Sequence, residues 1–425
     1  MMKKLKVSIE IQGKQIWLGE ISGERSEDAT FSYLDSYLDL DLARPISLSL
    51  PLKEEPFSPN ATKTFFDGLL PEGFTRRSIA MSLGVKEDDY LSLLLALGNE
   101  CIGAIRIFDD ESQQQEARYK KIRATKIAEL AREGIAENAD LIAESRLSLA
   151  GATGKIGLYY EEKKDAWYLP SGDAPSTHIV KQSHIRFRDI VTNEQLVLKT
   201  AKRLGIEVPD SFIVNIGGGK DGDVLFASKR YDRTELSDRV VGGHICPLRR
   251  HQEDMGQALG IPPSSKYEAK GESYLKKIGE LLRRVSKNPA ADISKLWDIT
   301  VFNYLVGNTD NHIKNLSIIY SSNLDAISLA PAYDLLSTVI YDGTTRNMAF
   351  NIGGVYSIDE IDRTAWERAA LDVGLGKKYA LERYDWLKGS MGKALSESTK
   401  ELMDQGLTSA KATERKIRAR GGIGR

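Results

Sequence analysis

From Lys6 onward apolar side chains fall on alternate positions, Val7, Ile9 and Ile11; Gly13-Lys14 interrupts the run, and Ile16 to Ile21 resumes it. A period of two around a glycine break predicts a β-hairpin. Beyond Pro45 to Pro51, apolar residues recur at helical spacing over residues 62–70 and 88–97, and 104–108 reads as a strand. The Glu-, Gln- and Asp-rich stretch 109–119 reads as a solvated connection and a boundary. Strand patterns then crowd together at 156–160, 167–169, 177–181, 212–216 and 224–229, broken by one helix over about 193–204 that Gly205 and Pro209 punctuate.

From about Lys266 the period lengthens. Tyr274, Ile278, Leu281, Leu282 and Val285 share a helical face, Pro289 is read as ending that segment, and 293–306 reads as a second, largely buried helix. A sheet-rich unit followed by a helical one predicts an α+β protein of two lobes. We find no internal repeat.

Composition changes this picture little. With 425 residues, 41% hydrophobic and 28% charged, the chain is ordinary globular material and not a disordered one. A formal net charge of −1 gives no global field toward nucleic acid or an anionic membrane. The apolar run Leu91 to Leu97 is far shorter than the ~20 residues of a spanning helix, and the first residues lack a signal-peptide pattern. Cys101 and Cys246 form no spacing motif, as expected in a reducing compartment. A cytoplasmic protein with no membrane partner is expected.

The segment Gly307-Asn308-Thr309-Asp310-Asn311-His312-Ile313-Lys314-Asn315 is too polar for core, although it follows the buried helix directly. Two strand-like runs, 316–320 and 326–329, then lead to Pro331-Ala332-Tyr333-Asp334 and return Asp334 toward Asn315. Phosphoryl transfer needs a carboxylate to orient the attacking hydroxyl and oxygen ligands to hold Mg²⁺ against nucleotide phosphates. The five-residue step from Asp310 to Asn315 equals that of the eukaryotic kinase catalytic loop. Tyr-Asp-Leu is not Asp-Phe-Gly, however, and no His-Arg-Asp precedes it. An isolated Asp-x4-Asn would be read as a turn; the hairpin, Lys314 and Asp334 favour an ATP- and Mg²⁺-dependent kinase.

Lys181, which ends a strand-like run, is placed to meet nucleotide phosphates, with Glu194 a carboxylate that could pair with it. Ser148-Leu149-Ala150-Gly151-Ala152-Thr153-Gly154-Lys155 is the loop candidate: its small residues allow backbone N–H groups to approach phosphate. It is no Walker A motif, because Leu149 and Ile156 stand at the wrong places and a strand follows. Gly217 to Gly222 reads as a hairpin turn, and His244, Cys246 and His251 match no zinc spacing. The basic residues of 411–420 are read as complements to a helix dipole.

Together these segments resemble the HipA family of kinases, the toxin halves of bacterial toxin–antitoxin pairs. The resemblance rests on Arg44-Pro45-Ile46-Ser47-Leu48-Ser49-Leu50-Pro51-Leu52, Phe65-Phe66-Asp67-Gly68-Leu69-Leu70-Pro71, Ser148 to Ala152 and Thr177 to Lys181. Further matches are Arg230-Tyr231-Asp232-Arg233, Gln252-Glu253-Asp254-Met255, Lys266-Tyr267-Glu268, Asn308 to Asn315 and Pro331 to Asp334. It implies a two-lobed protein-kinase-like fold with a mixed, β-rich N-lobe (113–235), an all-helical C-lobe (236–425) and an additional N-terminal α+β subdomain (1–112). It implies Asp310 as catalytic base and Asn315 and Asp334 as Mg²⁺ ligands. Ala152, Thr153, Gly154, Lys155, Lys181, His312 and Lys314 would lie about the ATP, and Lys229 to Tyr231 would form the hinge beside adenine. Ser148 matches an inhibitory autophosphorylation site, and a phosphate there would add about −1.5 to −2 charges beside the nucleotide. The implied partners are a helix-turn-helix antitoxin, DNA mainly through that antitoxin, and an aminoacyl-tRNA synthetase as protein substrate. The readings weighed against this one are a pseudokinase co-repressor and a small-molecule or lipid kinase. Two departures stand out. Thr153-Gly154-Lys155 replaces the family's usual Gln-Glu-Lys, and Lys229 occupies a hinge position that is often Glu.

Overall fold

The computed structural model describes residues 3–98, 100–109, 116–133, 154–183 and 187–424. The chain divides into two compact units that are discontinuous in sequence. The first comprises Met1–Gln182, Ala227–Pro263 and Ile319–Ala326, and the second Ser183–Phe226, Ser264–Ile318 and Ile327–Arg425.

In the first unit the alternating N-terminal pattern forms the expected hairpin, strands Lys3–Ile11 and Lys14–Gly23, antiparallel with a bulge at Val7/Ser8. Thr30–Tyr33 and Ile105–Asp109 complete a four-stranded antiparallel sheet. Leu5, Val7, Ile9 and Ile11 are all buried, as a period-two strand over a core requires. Helices Pro59–Asp67 and Tyr90–Leu97 lie where helical spacing was read. Phe66 and Phe31 meet at 5.2 Å between ring centroids, with Phe57 and Tyr33 against Phe31. The strand Thr30–Tyr33 and the helices Gly73–Leu83 and Ala124–Glu133 have no counterpart in the sequence reading.

A second antiparallel set in this unit runs Arg118–Lys121, Ala166–Ser171, Lys155–Glu161, His178–Gln182. The residues 118–121 thus belong to a strand, not to the solvated connection that 109–119 suggested at its end. The strand pairs because Ala166–Ser171 offers it a partner, which no local pattern announces.

A buried ion network braces the unit. Both oxygens of Glu100 accept from arginines, Arg230 at 3.1 Å and Arg233 at 2.8 Å on one, Arg249 at 2.7 Å on the other. Asp232 accepts from Arg230, from Arg233 and from the Gly103 N–H. Burial opposes ionisation of Glu100, but the three guanidiniums overcome it and hold its carboxyl well below the usual carboxylate range. Removing one partner from such a network leaves a buried charge and costs about 3–5 kcal/mol. The family-like run Arg230-Tyr231-Asp232-Arg233 therefore has a structural reason of its own.

The second unit is mainly helical: Ile190–Arg203, Tyr274–Val285, Pro289–Val306, Arg363–Val373, Lys377–Asp404 and Ser409–Arg420. Pro289 opens the long buried helix instead of ending the helix before it. Asn288 caps it, accepting from the Ala291 N–H at 3.4 Å. Proline suits a first helical position, where no N–H is needed and its φ is pre-set. Trp297 anchors this helix by donating to the Ala380 carbonyl at 3.0 Å, and its ring meets Trp366 edge-on at 5.4 Å. In the last turn of Ser409–Arg420 the cations are locally engaged, Arg418 with Glu414 and Arg420 with Asp342.

Candidate active site

The centre of the second unit is built at the end of helix Pro289–Val306. Gly307 adopts φ +73°, and its N–H returns to Tyr304 while Asn308 N–H returns to Asn303, a left-handed C-terminal cap. The Gly307 carbonyl accepts from the N–H groups of Thr338 and Val339 and from the Thr338 hydroxyl. The Thr309 N–H donates to the Thr338 hydroxyl at 2.8 Å, and the two hydroxyls pair at 2.7 Å. The turn after the helix is thereby stitched to the chain that follows Asp334.

Asn308, 1% exposed, is the joint. Its carboxamide donates to Asn303 Oδ1 at 2.7 Å and to the Asp334 carbonyl at 3.3 Å, and it accepts from the Asp310 N–H at 3.2 Å. One side chain thus holds the backbones of both aspartates. Asn315 closes the other end by donating its amide to the Asp310 carbonyl at 2.9 Å, which leaves its carboxamide oxygen as the donor atom it presents to a cation. Asp310 is exposed, Asp334 and Asn315 are half-buried, and His312 and Lys314 are buried. Asp334 has φ +52°, a left-handed conformation that aspartate tolerates better than most residues. Tyr333, just before it, donates to the Lys314 carbonyl at 2.9 Å and pairs with the Ser317 hydroxyl. The expected return of Asp334 toward the 310–315 segment is therefore built from hydrogen bonds at Asn308 and Tyr333. The short strands Ser317–Tyr320 and Ile327–Leu329 carry the chain round, with Ala330 N–H on the Ser317 carbonyl at 2.9 Å.

Sequence reasoning missed Asn303 and Asn308 as joints, and it named Tyr267 without a role. Tyr267 donates its hydroxyl to Asp310 Oδ1.

Two carboxylates and a carboxamide are hard oxygen donors of the kind Mg²⁺ takes. Among the described residues no group of three or more His, Cys, Asp or Glu side chains converges to hold a metal. Chemically, an exposed carboxylate beside such donors can accept a proton from a hydroxyl while a phosphoryl group is transferred.

The first unit brings together two of the predicted nucleotide residues. Lys155 and Lys181 are direct cross-strand partners in the antiparallel pair, with Lys181 buried and Lys155 half-buried. Like charges facing each other across strands repel, so an anion on that face would be favoured. Gly154 immediately precedes Lys155. Lys229 ends its strand, exposed, with Nζ 2.9 Å from Glu235, and Tyr231 is half-buried. Ser148, Ala152 and Thr153 lie outside the described residues.

Comparison with known proteins agrees with this architecture. Residues 147–395 match the HipA-like C-terminal domain and residues 9–108 the HipA N-terminal domain. A Sinorhizobium fredii protein, Y4mE, named provisionally as a kinase, is 35% identical over 407 residues, spanning 93% of this chain and 92% of that protein. The Shewanella oneidensis serine/threonine-protein kinase toxin HipA is 29% identical over 379 residues, covering 85% and 83% of the two chains. A solved HipA from the same bacterium, in complex with HipB and operator DNA, shares the fold with a TM-score of 0.77 at 23% identity, over 99% of this chain and 97% of that one. With its N- and C-terminal domain models both matched in order, and with a kinase-like α+β fold, the chain belongs to the HipA family of serine/threonine-protein kinases.

Proposed function

We propose that the chain transfers the γ-phosphoryl group of ATP to a serine or threonine hydroxyl, with Asp310 as the general base. The observation that carries this reading is the Asn308 carboxamide, which holds the Asp310 and Asp334 backbones in one hydrogen-bonded frame, with Asn315 bonded to Asp310 at its far side. The acceptor oxygen forms a bond to the γ-phosphorus as the bond to the β-phosphate oxygen breaks; the hydroxyl proton passes to the Asp310 carboxylate and ADP leaves. Asn315 and Asp334 would hold Mg²⁺, which when bound neutralises charge on the phosphate oxygens. Lys181 and Lys155, facing each other across strands, would supply positive charge for phosphate, and Ala152, Thr153 and Gly154 would supply backbone N–H groups. His312 and Lys314 would contact the nucleotide, and Lys229 and Tyr231 the adenine side.

In this reading residues 1–112 are the additional subdomain, 113–235 the nucleotide-binding lobe and 236–425 the lobe with the base and metal residues. The toxin name of the Shewanella relative and the HipB–DNA complex of the solved HipA support a role as a growth-arresting toxin. It would be paired with a helix-turn-helix antitoxin and brought to DNA mainly through it. The substrate would be a translation component such as an aminoacyl-tRNA synthetase, and autophosphorylation at Ser148 would switch the enzyme off. Among the described residues no helix is long and apolar enough to cross a membrane, and we assign the protein to the cytoplasm.

The test is phosphate transfer from γ-labelled ATP with Mg²⁺ to proteins of a bacterial lysate. Asp310→Ala should lower it by a factor of roughly 10²–10⁴, the usual contribution of a general base. Equal labelling by the variant sinks the assignment, and label appearing only in small molecules or lipids would redirect it to another acceptor class.

A further inference from the structure

The hydroxyl that Asp310 holds in this structure belongs to the chain itself. Tyr267 donates to Asp310 Oδ1, which is the hydrogen bond an acceptor serine or threonine must make to a catalytic base. The segment that carries Tyr267 is fixed on both sides. The Lys266 carbonyl accepts from the Ile313 N–H at 3.2 Å, and the Glu268 N–H donates to the Ala349 carbonyl at 3.1 Å. The buried Glu268 carboxylate accepts from the N–H groups of Asn351 and Tyr274. Between these anchors the Tyr267 side chain is 48% exposed, its ring edge-on to His312 at 5.4 Å and its own neighbour Lys266 placing an ammonium 5.4 Å from the ring centroid. The backbone is therefore set, while the phenol can leave by rotation about its own side-chain bonds.

Resting on the assignment of Asp310 as base, we propose that Tyr267 is a built-in stand-in for the acceptor hydroxyl. It takes the base's hydrogen bond while no protein substrate is bound and swings aside when a serine or threonine is presented. A phenol is held in a bond that water would otherwise make, so ATP is spared from hydrolysis in the resting enzyme. A docked polypeptide, which adds contacts beyond one hydroxyl, outcompetes it. Tyr267 thereby sets which acceptors are used, favouring a bound protein over solvent.

The experiment measures ADP release from ATP and Mg²⁺ by the full chain with water as the only acceptor, for the parent, Tyr267→Phe, Tyr267→Ala, Asp310→Ala and the Tyr267→Phe/Asp310→Ala pair. Because the side chain is half exposed, both tyrosine variants should keep the parent melting temperature. Tyr267→Phe should raise hydrolysis roughly 3- to 10-fold, the scale of one lost hydrogen bond, with Tyr267→Ala at least as high and both gains lost with Asp310→Ala. A purely structural tyrosine gives no such gain. Unchanged hydrolysis in both tyrosine variants overturns the proposal, as does a fall, which would mark Tyr267 as a residue that orients Asp310. Hydrolysis insensitive to Asp310→Ala in every background overturns the base assignment and the stand-in with it. A gain in Tyr267→Phe that the double variant retains overturns the stand-in alone.

Discussion

Asn308 makes three hydrogen bonds from a site with almost no solvent, and two of them hold the backbones of Asp310 and Asp334, which carry the candidate chemistry. Asn308→Ala would leave Asn303 Oδ1 and the Asp334 carbonyl without this donor, and unpaired buried acceptors cost about 1–3 kcal/mol each. We expect the melting temperature to fall and the turnover number for phosphate transfer to fall about tenfold or more, since a misplaced base loses orientation. Asn308→Asp keeps the shape and the acceptor, but it removes both donated bonds and sets a buried carboxylate against two acceptor oxygens, so it should be at least as damaging as Asn308→Ala. Steady-state kinetics with thermal melts check this. A variant that is destabilised yet turns over like the parent would reduce Asn308 to a structural residue. At this scale the sequence was partly legible. Asp310, Asn315 and Asp334 stood out because polar residues followed a buried helix, whereas Asn308 was hidden because its meaning depends on a carbonyl 26 residues away.

At the scale of the element, the site depends on how helix Pro289–Val306 ends. Gly307 has φ +73°, and a Cβ built there would lie 2.3 Å from Val339 Cγ2. Gly307→Ala should therefore destabilise by about 1–3 kcal/mol from left-handed strain alone, with the steric clash in addition, and displace Thr309 and Asp310. Adding Val339→Ala should recover the steric part and not the backbone part. Denaturant midpoints of the two variants give the comparison, and full recovery by the pair would refute the strain component. The helix itself was legible from its apolar run, but its start was not. Pro289 was read as a terminator because proline breaks helix interiors, while the cap at Asn288 makes it a first residue. The N-terminal hairpin was legible because its apolar side chains fall on alternate positions, although Ser8 and Glu10 between them are buried too, and the strands at 156–160 and 177–181 because apolar and β-branched residues crowd there. Helix Gly73–Leu83 was not, because it begins at a glycine with an uncapped N-terminus and its apolar positions are too few to mark a face. Thr30–Tyr33 is four residues long and exists by pairing with Lys14–Gly23, a long-range condition.

At the scale of the whole molecule, three buried groups of the first unit have shifted protonation equilibria that couple stability to acid. His178 and His251 are pushed down to about 4, by burial in both cases and in His178 also by Lys229. His251 donates through Nε2 to the Ile46 carbonyl at 2.7 Å, and among the described residues its Nδ1 has no hydrogen-bond partner. Burial instead raises Glu253 to about 7, against opposing hydrogen bonds from Ser47, Tyr320 and the Leu48 N–H. The signs differ. A lowered histidine binds its proton later in the folded than in the unfolded chain, so its contribution is present above about pH 6.5 and is lost as pH falls toward 4. The raised glutamic acid is proton-bound when folded, so its contribution is present below about pH 4.5 and is lost as pH rises through 7. Between pH 6.5 and 4.5 one histidine is offset by Glu253, so these three groups together contribute a loss on acidification of about one proton's worth, about 1.4 kcal/mol per pH unit at most. Glu100 and Asp89, both held low by their partners, extend the loss to more acid pH. His251→Gln keeps a donor for Ile46 but cannot titrate, so its stability should be nearly level from pH 6.5 to 4.5. Glu253→Gln should instead steepen the parent slope toward twice its value. Urea midpoints at pH 7, 5.5 and 4.5 decide the matter: parallel profiles for the parent and both variants would show that these buried groups do not control the acid response, and a shallower Glu253→Gln profile would reverse its sign.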